Sequence, residues 1–144
     1  MKKLSVIFVF ILSNFSFAQN WQTNFEHAKS IASKENKNIV LVFSGSDWCA
    51  PCMKLEKSIW MSDEFKAETE KNWVIYKADF PKKKVNQLTP ELTEQNRALA
   101  EIYNKSGSFP LVVLLDKNGK VLGMTGFKNV SPEEYIAMMK KFEK

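Results

Sequence analysis

The sequence predicts one α/β domain in which a mixed sheet of about four strands is covered by helices on both faces. Three observations lead there. Short apolar runs rich in β-branched residues alternate with segments whose apolar residues recur at three- and four-residue steps, in the order αβαβαββα. The β-α-β units imply a parallel portion with right-handed crossovers, while a tight turn between the last two strands adds an antiparallel edge. The chain has 144 residues, 44% of them hydrophobic and 26% charged, which suffices for one core and hardly two.

Residues 1–18 stand apart from this domain because they have the three parts of an export signal. Lys2 and Lys3 supply the positive end, Leu4 to Leu12 is apolar but for Ser5, and Ser16-Phe17-Ala18 offers small residues where a signal peptidase inspects the chain. Cleavage is expected between Ala18 and Gln19. The apolar stretch falls short of the roughly 20 residues that a membrane span needs, and no Cys lies near the cleavage point to carry a lipid. Loss of Lys2 and Lys3 takes the formal charge from +5 to +3. That mild surplus, with Lys82-Lys83-Lys84 as its one dense run and no aromatic or glycine pattern around it, argues against nucleic-acid binding and reads as a solvated loop.

The remaining segments follow in order. Trp21 to Asn36 carries Phe25, Ala28 and Ile31-Ala32 at helical spacing, with Thr23 or Asn24 as the cap. Ile39 to Ser44 is a buried strand bounded by Asn38 and Gly45-Ser46. A helix runs from Pro51 to about Lys71 with a break near Ser62-Asp63, and Trp73 to Ala78 is a second strand. Phe80 to Thr93 reads as a lysine-bearing connector containing Pro81 and Pro90, followed by a helix from about Glu94 to Asn104 that Gly107 ends. Pro110 to Leu115 and Val121 to Thr125 are strands joined by Asp116-Lys117-Asn118-Gly119. Ser131-Pro132-Glu133-Glu134 starts the last helix with a cap, a proline at the first position and acids in the first turn.

The chemistry rests on Trp48-Cys49-Ala50-Pro51-Cys52, where the loop after the first strand enters a helix. Three readings compete for the pair. A disulfide staple closing so short a loop contributes about 2 kcal/mol, against about 5 for a hundred-residue loop, so a staple explains little. A metal site needs two more ligands, and the chain offers no other Cys and one His, His27, on a different helix. A redox pair suits the place, because free N–H groups and the dipole at a helix start stabilise a thiolate on the first Cys. A thiol near its ordinary pKa is about 3% ionised at pH 7, whereas one near 7 is about half ionised and still a competent nucleophile. Cys49 is then the attacking sulfur and Cys52, one turn into the helix and partly covered, the resolving one. Pro51 keeps the sulfurs close, and Ala50-Pro51 puts no ionisable group between them.

These residues resemble the thioredoxin superfamily over nearly all of residues 19–144. The likeness is carried by the Trp48 to Cys52 motif after a buried strand, Lys77-Ala78-Asp79 at the end of the next strand, and Phe109-Pro110 opening the third. It implies a cis Pro110 packed beside the cysteines and a Phe109 backbone that pairs with extended substrate segments, with Trp48, Ala50 and Pro51 completing the substrate face. One departure stands out: the family's buried Asp, six residues ahead of the first Cys, is Phe43 here. Glu56, four residues after Cys52, gives a Cys-x-x-Cys-x-x-x-Glu arrangement similar to the C-terminal domain of the exported reductant transporter DsbD. Glu56 is either the substitute proton acceptor, raising both thiol pKa values by its charge, or a solvated helix residue paired with Lys54, Lys57 or the surroundings of Trp60. Lys77 either tunes the site by its charge or does not, and Asp47 caps the helix or faces solvent. Ser44-Gly45-Ser46-Asp47-Trp48-Cys49 and the segment Trp60 to Phe65 also resemble small exported thioredoxin-like proteins allied to DsbD. The connector Phe80 to Thr93 is longer than a plain thioredoxin needs, and either contacts a dedicated partner or is inert.

Residues 1–18 imply export to the periplasm or secretion, and the resemblance implies a thiol-disulfide oxidoreductase, monomeric, that needs no bound cofactor or metal. It acts on protein disulfides, preferentially as a reductant recharged by a membrane electron donor. The opposing readings are an oxidase or isomerase, and a binding module that uses the Phe109-Pro110 surface without catalysis.

Overall fold

The computed structural model describes residues 19–144, so the expected export signal over residues 1–18 lies outside the described residues. A four-stranded sheet of order β2-β1-β3-β4 is built from β1 (Asn38–Ser44), β2 (Trp73–Asp79), β3 (Leu111–Leu115) and β4 (Val121–Thr125). β1 pairs in parallel with β2 and antiparallel with β3, and β3 pairs antiparallel with β4. The mixed sheet is as expected, but its parallel portion is the β1–β2 pair alone. The registers show why: Ser44 lies opposite Asp79 and Phe43 opposite Leu111, so β2 ends and β3 begins at one end of the sheet. The connection between them goes out and back instead of crossing once.

Alternation along each strand splits the core in two. Val40, Val42, Trp73, Ile75, Val112 and Leu114 face α2 (Ala50–Leu55), the π-helical segment Glu56–Trp60, α3 (Asp63–Asn72) and α5 (Pro132–Lys140). Ile39, Leu41, Phe43, Val74, Tyr76 and Val113 face α1 (Phe25–Glu35) and α4 (Pro90–Tyr103). Each wholly buried large apolar side chain contributes about 1.5–3 kcal/mol of transfer free energy. Trp60, central to the first cluster, packs edge-on against Tyr135 with ring centres 5.6 Å apart.

The largest departures from the expected element bounds each have a local reason. α1 begins at Phe25 and not Trp21, because Trp21 instead bridges Ile75 in parallel and the Gln22 N–H donates to the Ile75 carbonyl at 3.0 Å. Asn24 is the cap, accepting the His27 N–H at 2.7 Å. α4 begins at Pro90 and not Glu94: Thr89 caps it, accepting the Leu92 N–H, and Pro90 fills the first helical position instead of breaking the chain. The connector therefore shrinks to residues 80–89, with a 3-10 turn over Lys84–Asn86. α4 is capped at its end by Asn104, whose side chain binds the Ser108 N–H and carbonyl, while Gly107 sits in the turn beyond at φ 65°. The expected break after α2 is at Ser62, which caps α3, but the turn before it is π-helical, with the Met61 N–H reaching back to the Glu56 carbonyl. The last helix follows its signal: Ser131 and Glu134 form a full capping box.

Candidate functional site

β1 delivers the chain to Gly45, where a turn begins: the Trp48 and Cys49 N–H groups both donate to the Gly45 carbonyl, at 3.2 and 2.9 Å. A Cβ on Gly45 would stand 2.3–2.6 Å from the Trp48 indole, so this close approach requires glycine. The turn leaves Cys49 as the N-cap of α2, in extended conformation, its Sγ accepting the Cys52 N–H at 3.3 Å. Ala50 and Pro51 are exposed at the first turn of the helix. Cys49 and Cys52 are joined as a disulfide with Cα atoms 5.2 Å apart. Each is 4% exposed, so Cys52 is no more covered than Cys49.

The sequence-named residues gather at this end of the sheet. The Phe109-Pro110 peptide is cis, as the family resemblance implies, Pro110 is buried, and the Phe109 ring meets Trp48 edge-on with centres 5.4 Å apart. Trp48, 37% exposed, presents the aromatic surface beside Cys49. Phe43 is wholly buried against Phe80, with no carboxylate in its place. Glu56 is ion-paired with Lys77 across the helix–strand interface, because β2 alternation turns Lys77 to the same face as Trp73 and Ile75. The Lys77 ammonium also lies 4.6 Å from the centre of the Trp21 ring. The carboxylate, the ammonium and Cys52 line one groove of about 460 Å³, with Ser44, Ser46 and Met53. Of the partners open to Glu56 in the sequence, neither Lys54 nor Lys57 is taken, and the pair with Lys77 is neutral as a unit.

Asp47 corrects its sequence reading. It neither caps α2, which Cys49 does, nor simply faces solvent. Its carboxylate accepts the Lys82 N–H at 2.9 Å, the Lys83 N–H at 3.0 Å and the Asn86 side-chain amide at 3.0 Å. The Lys82 N–H first, then the Asn86 amide, hold its carboxyl below the ordinary carboxylate range. Ser46 adds two bonds to Asp79, and Trp48 Nε1 donates to the Phe80 carbonyl at 2.7 Å. The sequence held a partial signal for this network in the length of the connector, but nothing that paired it with residues 45–48.

The model of the thioredoxin-like domain family matches residues 25–143, and the chain belongs to that family. A disulfide bond reductase, DsbH, of Chlamydia pneumoniae is 35% identical over 115 residues; the match takes in 80% of this chain and spans 65% of the length of that curated relative. A solved DsbH oxidoreductase is 31% identical with a TM-score of 0.79, over 85% of this chain and 83% of that one. The oxidised C-terminal domain of DsbD from Neisseria meningitidis shares the fold at 20% identity and a TM-score of 0.51, over 81% and 90% of the two chains.

Proposed function

We propose that the protein is an exported thiol-disulfide oxidoreductase that reduces protein disulfides. The observation that carries the reading is the placement of the disulfide: Cys49 caps a helix and its sulfur accepts the Cys52 N–H, the arrangement that stabilises a thiolate once the bond is reduced. In the reduced enzyme the Cys49 thiolate attacks a substrate disulfide, forming a Cys49–substrate bond and releasing the first substrate thiolate. Cys52 loses its proton to Glu56, which shares its groove, and attacks the Cys49 sulfur. The Cys49–Cys52 bond forms and the second substrate thiolate leaves, so that two electrons have passed to the substrate, whose two thiolates take one proton from Glu56 and one from solvent. Trp48, Ala50, Pro51, Phe109 and Pro110 form the face against which the substrate segment lies, and Lys77 positions the Glu56 carboxylate. The naming of the Chlamydia relative as a reductase supports the direction. Residues 1–18 direct export and are removed near Ala18-Gln19, and the mature chain acts as a monomer recharged by a membrane electron donor.

Substitution of Cys52 by Ser tests this assignment of roles. The variant is expected to accumulate mixed disulfides through Cys49 in cells; their absence would count against a resolving Cys52. Glu56→Gln is expected to move the pH profile of thiol alkylation, and an unchanged profile would remove Glu56 from the proton transfer.

A further inference from the structure

Beyond the reaction itself lies the question of which disulfides reach Cys49, and the connector over residues 80–89 bears on it. This segment is clamped to the loop that carries the cysteines. Asp47 takes the N–H groups of Lys82 and Lys83 and the amide of Asn86, and Trp48 Nε1 holds the Phe80 carbonyl. The Lys82 ammonium rests 4.0 Å from the centre of the Trp48 ring, the aromatic surface next to Cys49. The three lysines are exposed, as a solvated loop has them, but the backbone that carries them is fixed beside the dithiol loop.

Charge is uneven around that loop. Residues 44–61 and 77–84, which surround the disulfide, hold six lysines (Lys54, Lys57, Lys77, Lys82, Lys83 and Lys84) and three carboxylates. All three carboxylates are engaged within the protein: Asp47 by the connector, Glu56 by Lys77, Asp79 by Ser46. Among the described residues, Lys77 is the one lysine of the six that forms an ion pair. The surplus of three positive charges over these two segments equals that of residues 19–144 as a whole, so the rest of the described chain is balanced. Apolar side chains stand among the cations: Val85 is 88% exposed, and Met53 and Met61 are open to solvent beside the Cys52 groove. A cationic surface with apolar side chains set among the charges fits a polypeptide with acidic residues better than a bare polyanion.

We infer that residues 80–89, held by Asp47, form a substrate-selecting rim, and that Lys82, Lys83 and Lys84 steer onto Cys49 protein disulfides flanked by acidic residues. The inference rests on the oxidoreductase reading and adds the class of substrate. Asp47 acts here as a positioning residue, through the backbone it holds.

The test uses the pre-reduced protein and three disulfide-bonded peptides of one core sequence, flanked by Glu, Gln or Lys, with hydroxyethyl disulfide as an uncharged reference. The Glu-flanked peptide is expected to exceed the Gln-flanked one in kcat/KM by about tenfold at low ionic strength, with the ratio falling toward one as salt screens the rim. The double substitution Lys83→Glu, Lys84→Glu is expected to reverse the order of the Glu- and Lys-flanked peptides. Asp47→Asn should lower the Glu-to-Gln ratio through KM more than through kcat. Equal kcat/KM for the three peptides at low salt, with all of them reduced, would overturn the rim while leaving the oxidoreductase reading in place. Failure to reduce any peptide or hydroxyethyl disulfide would overturn the reading beneath it.

Discussion

Two loops of this sheet are each organised by one aspartate, and they differ in how far that aspartate reaches. Asp116, after β3, accepts the N–H groups of Asn118 at 2.8 Å and Lys120 at 2.9 Å, so its bonds close within four residues and make the hairpin turn. Asp47, after β1, accepts from Lys82, Lys83 and Asn86, 35 to 39 residues away. The first shapes its own turn. The second fixes the loop before Cys49 to a separate segment, and so makes the dithiol end of the sheet a composite of two stretches of chain. A local bond of this kind sets a backbone path, whereas the long-range one decides what surrounds the reactive sulfurs.

The glycines in the two loops offer the largest way to break that contrast. Gly45→Val places side-chain atoms where the Trp48 indole stands, and Trp48 is itself tied to Phe80, so it has little room to yield. The expected loss is about 1–3 kcal/mol, the usual range for overpacking, together with a fall in exchange rate as the turn into Cys49 shifts. Gly119→Ala meets a different obstacle, a φ of 89° and the Tyr103 hydroxyl at 3.0 Å, and is expected to cost about 1–2 kcal/mol. It should leave thiol exchange unaltered. Denaturant midpoints at constant m-value, read beside exchange rates, separate the two.

A smaller effect is expected from the aspartates themselves. Asp47→Ala should speed tryptic cleavage after Lys82, Lys83 and Lys84, because the backbone there loses its anchor, while Asp116→Ala should leave those bonds as protected as before. Equal cleavage in both variants would mean that the connector is held by something other than Asp47.

The mildest perturbation is acid. The folded Asp47 carboxyl lies below its ordinary range, so its contribution to the folded state is complete above the unfolded value and is lost as pH falls through the depressed folded one. The amide chemical shifts of Lys82 and Lys83 should titrate together, with a midpoint below the ordinary carboxylate range. A midpoint within or above that range would contradict the hydrogen-bonded clamp.

The same contrast explains what the sequence could disclose. Local signals were legible: the Asp116 to Gly119 turn, the Ser131 cap with Pro132, the break at Ser62, and the Cys49–Cys52 pair at a helix start all involve residues a few positions apart. Lys77 on the helix face of β2 was within reach of alternation, though its choice of Glu56 over solvent was not. Pro90 reads in the sequence equally as a breaker and as a first helical residue, and Thr89 decides between them. The π-helical turn at Glu56–Trp60 falls outside any 3.6-residue pattern. The antiparallel course of β3 and the reach of Asp47 depend on where the chain returns after about thirty residues, which spacing along the chain does not encode.

The central claim is that the helix-capping dithiol works as a reductant, and the equilibrium reduction potential of Cys49–Cys52 in the mature protein tests it most directly. Equilibration against defined glutathione buffers is expected to give a value more negative than about −260 mV, below the glutathione poise found by biochemical extraction. A less negative value would make the disulfide the oxidising partner and reverse the proposed flow of electrons.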